Sequence, residues 1–131
     1  MLIATQLQTL SNWLKNETDP VLAYCREQGT FTAAGAGTTV NGTVLGKVTA
    51  TGKYVVSKQD ATDGSEDVAG ILWSDAVATA AGDVEVMVLF RGPASVSEGG
   101  LILDATYNTD AEKQAVYAAL EVKGIQTLPT V

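Results

Sequence analysis

The sequence predicts a mostly β chain of the α+β class: a compact β-rich domain with one helix in its C-terminal half and an N-terminal arm. Three observations carry this. Short Thr- and Val-rich runs recur from residue 30 onward, separated by glycine and Asn-Gly turn signals. One capped helical pattern stands late in the chain, after Thr109. The first 22 residues carry a different, Leu/Trp pattern that ends around Pro20. A length of 131 residues suits one domain, or one domain plus a tail. The division expected is an arm over residues 1–22 and a β-rich domain over residues 23–131.

In the arm, Leu7, Leu10, Trp13 and Leu14 fall at i, i+3, i+6 and i+7, a spacing that places them on one face of a short helix. Pro20 disfavours helical geometry at Asp19, so the pattern stops there. A segment this short does not fold alone. Its apolar stripe therefore docks, either onto the chain's own core or onto a partner.

In the domain, residues 30–33 read as a first strand and residues 34–37 as a loop. Asn41-Gly42 is a turn signal, since both residues tolerate positive φ. Residues 43–50 and 53–57 read as a hairpin around Thr51-Gly52. Residues 59–67 read as a polar loop and residues 68–73 as a short apolar strand. The stretch 76–82 has no clear period. In residues 84–90 only Glu85 is polar, which predicts a strand buried on both faces for most of its length. Pro93 closes it, because it cannot donate to a central ladder. Thr109-Asp110-Ala111-Glu112 is a capping box. The helix behind it carries a small-residue stripe of Ala111, Ala115, Ala118, Ala119 and Val122, expected to pack closely on a sheet. Lys123 suits the helix C-terminus, and Gly124 with Ile125 supplies a left-handed cap and its hydrophobic contact. Residues 126–131 read as extended.

Composition removes whole classes of chemistry. The chain has no histidine, which excludes Ser-His-Asp and Cys-His catalysis and the commonest zinc ligand. A single cysteine, Cys25, excludes an intrachain disulfide or a cysteine metal cage. Eight basic against 15 acidic residues argue against nucleic acid as a direct partner, which would need clustered Lys and Arg. No apolar run approaches the ~20 residues that span a bilayer. The first cation is Lys15, so the start lacks the basic region of a signal peptide. The expectation is a soluble protein made in a reducing cytoplasm, with no enzyme active site, no cofactor and no membrane partner.

The remaining candidates for chemistry are weak. Asp60, Asp63, Glu66 and Asp67 surround a glycine turn, but their spacing is not that of an EF-hand loop, and a solvated loop explains them. Gly35-Ala36-Gly37 lacks the third glycine and the helix of a dinucleotide fingerprint. Cys25 lies beside Arg26 with no base at hand, and reads as a small buried side chain. Lys53 at a Gly-Lys-Tyr turn suggests a lipoyl or biotinyl carrier domain as an alternative, although such turns read Asp-Lys-Ala or Met-Lys-Met. A surface adhesin-like β-module is a further alternative, disfavoured by the missing signal peptide. Arg91 after an apolar strand reads as an ion-pair partner at a strand end or subunit contact.

Several phrases together carry a resemblance. Gly42-Thr43-Val44-Leu45-Gly46-Lys47-Val48-Thr49 followed by Gly52-Lys53-Tyr54 resembles the signature of the bacteriophage head decoration proteins of the lambda protein D type. Tyr24-Cys25-Arg26-Glu27 resembles the Tyr-x-Arg-Glu opening of that family's first strand. Ala69-Gly70-Ile71-Leu72 resembles its Ala-Gly-Ile-Leu strand, and Arg91-Gly92-Pro93-Ala94 its Arg-Gly-Pro-Ala turn. Tyr117, Ala119-Leu120 and Gly124-Ile125 resemble its closing helix and Gly-Ile ending. Each phrase is common; five in order and spacing are specific, and they cover about residues 24–127. The resemblance implies a non-enzymatic structural protein of the virion, a homotrimer on the outer surface of the expanded phage head at three-fold and quasi-three-fold positions. There it binds the major capsid protein and cements the shell against packaged DNA. It also implies that the arm is the capsid clamp, with Leu7, Leu10, Trp13 and Leu14 as anchors. Arg91 and Pro93 are the residues expected at the trimer interface.

Overall fold

The computed structural model describes residues 10–17 and 24–129. Their strands are β1 (Leu14–Glu17), β2 (Arg26–Ala33), β3 (Gly37–Thr39), β4 (Val44–Lys47), β5 (Tyr54–Val56), β6 (Val68–Leu72), β7 (Ala76–Ala78), β8 (Gly82–Leu89), β9 (Ala94–Ser97) and β10 (Ile125–Leu128). Helix α1 (Asp110–Val122) stands between the last two, and single 3-10 turns lie at Leu10–Asn12 and Glu98–Gly100. The prediction of a mostly β chain with one late helix holds. No helix among the described residues is long and apolar enough to cross a membrane.

Five strands close a small barrel in the order β2-β5-β4-β6-β8, with β8 returning to β2. The β2–β8 ladder is the longest, antiparallel from Arg26↔Leu89 to Ala33↔Gly82. The hairpin expected around Thr51-Gly52 is β4–β5, with Leu45 opposite Val56. A second sheet, in the order β1-β9-β10, packs outside the barrel, and β3 pairs with β7 as a separate ribbon. One buried cluster fills the barrel: Phe31, Ala33, Leu45, Tyr54, Leu72, Ala76, Val86 and Val88. The other joins barrel, second sheet and helix, and includes Trp13, Cys25, Ile71, Leu89, Val96, Val116, Leu120 and Ile125.

Four expectations change. The helix expected through Leu14 reduces to the 3-10 turn at Leu10–Asn12, and Leu14–Glu17 is a strand. A register shift between Leu14 and Asn16 in the β1–β9 pairing lets Leu14 and Glu17, three residues apart, both face partly inward. The three-residue spacing of Leu10 and Trp13 belongs to the 3-10 turn, closed by Trp13 N donating to the Leu10 carbonyl at 3.2 Å. The first strand begins at Arg26 rather than Thr30, because the whole ladder with β8 forms. Gln28 and Thr30 hydrogen-bond the Glu85 carboxylate across it, and Thr32 that of Asp83. Gly29 interrupts the β pattern because a Cβ there would stand 2.7 Å from the Tyr54 ring.

The strand expected to be buried on both faces is β8, and its first half is not: Asp83 and Glu85 are exposed, and double burial is confined to Val88 and Leu89. The helix does not bury its alanine stripe. Val116 and Leu120, one turn apart, are the buried residues, while Ala111, Ala115 and Ala118 are exposed and Val122 is 89% exposed. Of the stripe, Ala119 alone packs against the core cluster, beside Val116 and Leu120. The caps form as predicted. Thr109 Oγ1 accepts from the Glu112 amide, and Gly124 takes a φ of +85°. The Glu112 carboxylate reaches back to the Asn108 amide rather than to that of Thr109.

Candidate functional site

The residues singled out by sequence fall in two places: the root of the N-terminal segment, and a corner between β8 and β9. Leu7 lies outside the described residues, as do residues 1–9, 18–23 and 130–131.

At the root, Trp13 is fully buried in this chain's own core, and Leu10 and Leu14 pack partly buried against the same cluster. The Trp13 indole Nε1 donates to Asn41 Oδ1 at 2.8 Å. Asn41 Nδ2 and its backbone amide both donate to Asp75 Oδ1, at 2.9 and 2.8 Å. Ser97 N donates to the Trp13 carbonyl at 2.7 Å. Gly100 lies so close beneath Asn12 that a Cβ would meet its carbonyl oxygen.

The far end of β1 is fixed by charge. Glu17 accepts from Arg26 through both carboxylate oxygens, at 2.9 and 3.1 Å, with side chains only 7% and 14% exposed. Such bidentate, largely desolvated pairs are stronger and more directional than single contacts. The Arg26 guanidinium lies 4.2 Å from the centre of the Trp73 ring. Sequence reasoning missed Asn41 as a ligand of Trp13, because Asn-Gly signals only a turn. It missed the Glu17–Arg26 pair because nine residues of separation leave no local pattern.

At the corner, Arg91 and Pro93 are exposed. The Arg91 guanidinium stacks 4.0 Å from the Tyr24 ring centre and 4.8 Å from that of Phe90, and its Nε donates to the Tyr24 carbonyl at 2.8 Å. The backbone beneath is stitched to two distant segments. Phe90 N donates to the Cys25 carbonyl at 3.0 Å, and Gly92 N to that of Lys123 at 2.9 Å. A side chain at Gly92 would collide with the Gly124 carbonyl. Cys25 is fully buried, with Sγ 3.4 Å from the Pro93 carbonyl. Tyr24 is 46% exposed, so a large aromatic side chain stands open at this corner.

Elsewhere the arrangement is local. Lys53 Nζ sits 2.6 Å from Asp83 Oδ2, so the ammonium is engaged across the barrel wall rather than presented at the turn. In the acidic loop the side chains cap their own turn: Asp63 Oδ1 accepts from Ser65 N at 3.0 Å, and Glu66 Oε2 from Gly64 N at 2.8 Å. The Ser65 hydroxyl and amide hold the Asp63 carboxyl below the usual carboxylate range. No group of three or more metal-ligating side chains gathers among the described residues. A groove of about 500 Å³ runs between Glu98, Gly99 and the first turns of α1. There burial, with the carboxylates of Glu98 and Asp110, raises the Tyr117 hydroxyl above its ordinary value.

The five family-like phrases touch one another in series. Gly42 N and Leu72 N exchange hydrogen bonds with Leu72 O and Thr43 O. Ile71 pairs with Leu89, and the residues after Leu89 bond Cys25 on one side and Lys123 on the other. The family model described as Bacteriophage lambda head decoration protein D matches residues 3–125, and the chain belongs to this family of phage head decoration proteins. Comparison with curated proteins returned no match.

Proposed function

We propose that this protein is a capsid cement. Three copies assemble as a homotrimer on the outside of the expanded head, at three-fold and quasi-three-fold positions. Each binds the major capsid protein through its N-terminal segment and stabilises the shell against packaged DNA. The observation that carries this reading is the family match across residues 3–125. The anchored root supports it, since a clamp must be held by the body it serves. Three segments per trimer act together, so modest single-site affinity becomes avidity.

The contact residues divide by position. Leu7 heads the capsid contact, with Leu10 and Leu14 flanking it. Trp13, buried in the free chain, anchors that contact from below. Arg91 and Pro93 form part of the trimer interface. Their support is the exposed corner where Arg91 stacks on Tyr24, two residue types enriched at protein interfaces. The acidic surface faces outward, where it discourages adhesion to free DNA.

The test is a deletion of residues 1–9, which spares Trp13. The shortened protein is expected to keep the mass of a trimer by light scattering and to lose co-sedimentation with expanded heads. Full occupancy of heads by the shortened protein would overturn the clamp, and a monomeric mass for the full chain would overturn the trimer.

A further inference from the structure

We propose that Asn41 is a positioning residue for the N-terminal segment. Together with Asp75 and the Trp13 indole it forms a latch that fixes the point where the chain before residue 10 joins the body. The proposal rests on the reading of that segment as the capsid contact, and it adds how load on the segment reaches the barrel.

The geometry carries it in three steps. First, the amide cannot turn over. Asp75, as a carboxylate, only accepts, and it takes hydrogen bonds from both Asn41 Nδ2 and Asn41 N. That orients Oδ1 toward Trp13, where it meets the indole N–H at 2.8 Å. An apolar residue at 41 would leave that N–H without its acceptor inside a closed core, where an unpaired donor is costly. Second, Asn41 is itself fixed to the barrel. It is 7% exposed. The next residue, Gly42, takes a φ of +89° and donates to the Leu72 carbonyl. Asp75 stands between β6 and β7. Third, the backbone around Trp13 is held from the opposite side, by Ser97 N and by the close approach of Gly100 to Asn12. Side chain and backbone are thus gripped by different elements. The latch adds to the β9 pairing and the Glu17–Arg26 pair that hold β1, so losing it makes opening of residues 10–17 more frequent while leaving the barrel ladders intact.

Lys15, exposed on β1, reports this directly, since trypsin cuts a strand only when it opens. Asn41→Ala, which loses the indole bond and one bond to Asp75, and Asp75→Ala, which loses both bonds that orient Asn41, are each expected to speed cleavage after Lys15 about tenfold. Cleavage after Lys113 and Lys123, on and just beyond α1, is expected to stay at the wild-type rate. Trp13→Phe, which keeps a ring and loses the N–H, is expected to act in the same direction. Asp75→Asn keeps an oxygen acceptor and is expected to restore the wild-type rate. An unchanged rate after Lys15 in Asn41→Ala overturns the latch. A parallel rise at Lys15, Lys113 and Lys123 also overturns it, because Asn41 would then merely stabilise the whole fold. If cleavage after Lys15 alone rises and co-sedimentation with expanded heads is undiminished, the latch stands and the capsid-contact reading fails.

Discussion

The two ends of the β2–β8 ladder use the same kinds of residue to opposite effect. At the Arg26↔Leu89 end an arginine and a glutamate meet almost out of water, under a tryptophan ring and beside the fully buried Cys25 and Leu89. At the Ala33↔Gly82 end Thr30, Thr32 and Lys53 meet Glu85 and Asp83 in solvent, with the Lys53 and Asp83 side chains 41% and 44% exposed. The difference lies in what covers each end. The first is covered by Glu17 of β1 and by the Cys25–Pro93 contact; the second has beside it only the short strand β7, which leaves its polar side chains in solvent. One continuous ladder is therefore a desolvated root at one end and a solvated wall at the other.

The comparison breaks first at Trp13. Trp13→Ala removes the largest fully buried side chain and the indole bond to Asn41. Large-to-small substitutions of this kind cost about 3–5 kcal/mol. The isolated protein is expected to melt about 10 °C lower or more, read by calorimetry. A melting temperature within a degree of wild type would mean that the root contributes nothing to the body.

Glu17→Gln is the next largest. It leaves Arg26 charged, largely buried and still stacked on Trp73. Removing one member of a desolvated, hydrogen-bonded pair leaves the other charge uncompensated, at a cost of about 1–3 kcal/mol. Denaturant unfolding of the Glu17→Gln, Arg26→Met and double variants checks it. The double variant is expected to recover part of the loss, as a coupled pair requires.

The same contrast explains how much was legible in the sequence. Elements whose determinants are local were readable. These include the Thr51-Gly52 hairpin, the Thr109 cap, the Gly124 stop and the apolar strand through Ile71. Elements fixed by distant partners were not. Strand β1 owes its register to β9, about 80 residues away, and nothing local announces it. Strand β9, at Ala94–Ser97, carries no local signal, because it lies between β1 and β10 and owes its place to both. The helix was placed correctly but turned to the wrong side: five small residues looked like a packing stripe, while the burial sits on Val116 and Leu120. At the candidate site, Trp13 was visible as an anchor, but what it anchors to was not. An Asn-Gly pair announces a turn, and nothing near Asn41 announces an indole 28 residues upstream.

The smallest expected effect is at the solvated end, and it gives the comparison its control. The Lys53 ammonium, with help from the Thr32 hydroxyl, holds the Asp83 carboxyl below its ordinary value of 3.8. A carboxyl depressed in the fold stabilises the fold above its ordinary value, and that contribution is lost as pH falls below 3.8 toward the folded value. At neutral pH the pair is fully charged, yet its exposure lets water and salt screen it. Lys53→Met is therefore expected to leave the neutral melting temperature within about 2 °C of wild type, since exposed pairs contribute little. It is also expected to move the Asp83 titration, followed by carboxyl NMR, upward toward the ordinary value. A neutral loss as large as that of Glu17→Gln would mean that exposure does not separate the two ends. The distinction between root and wall would then have to rest on Trp13 and its latch alone.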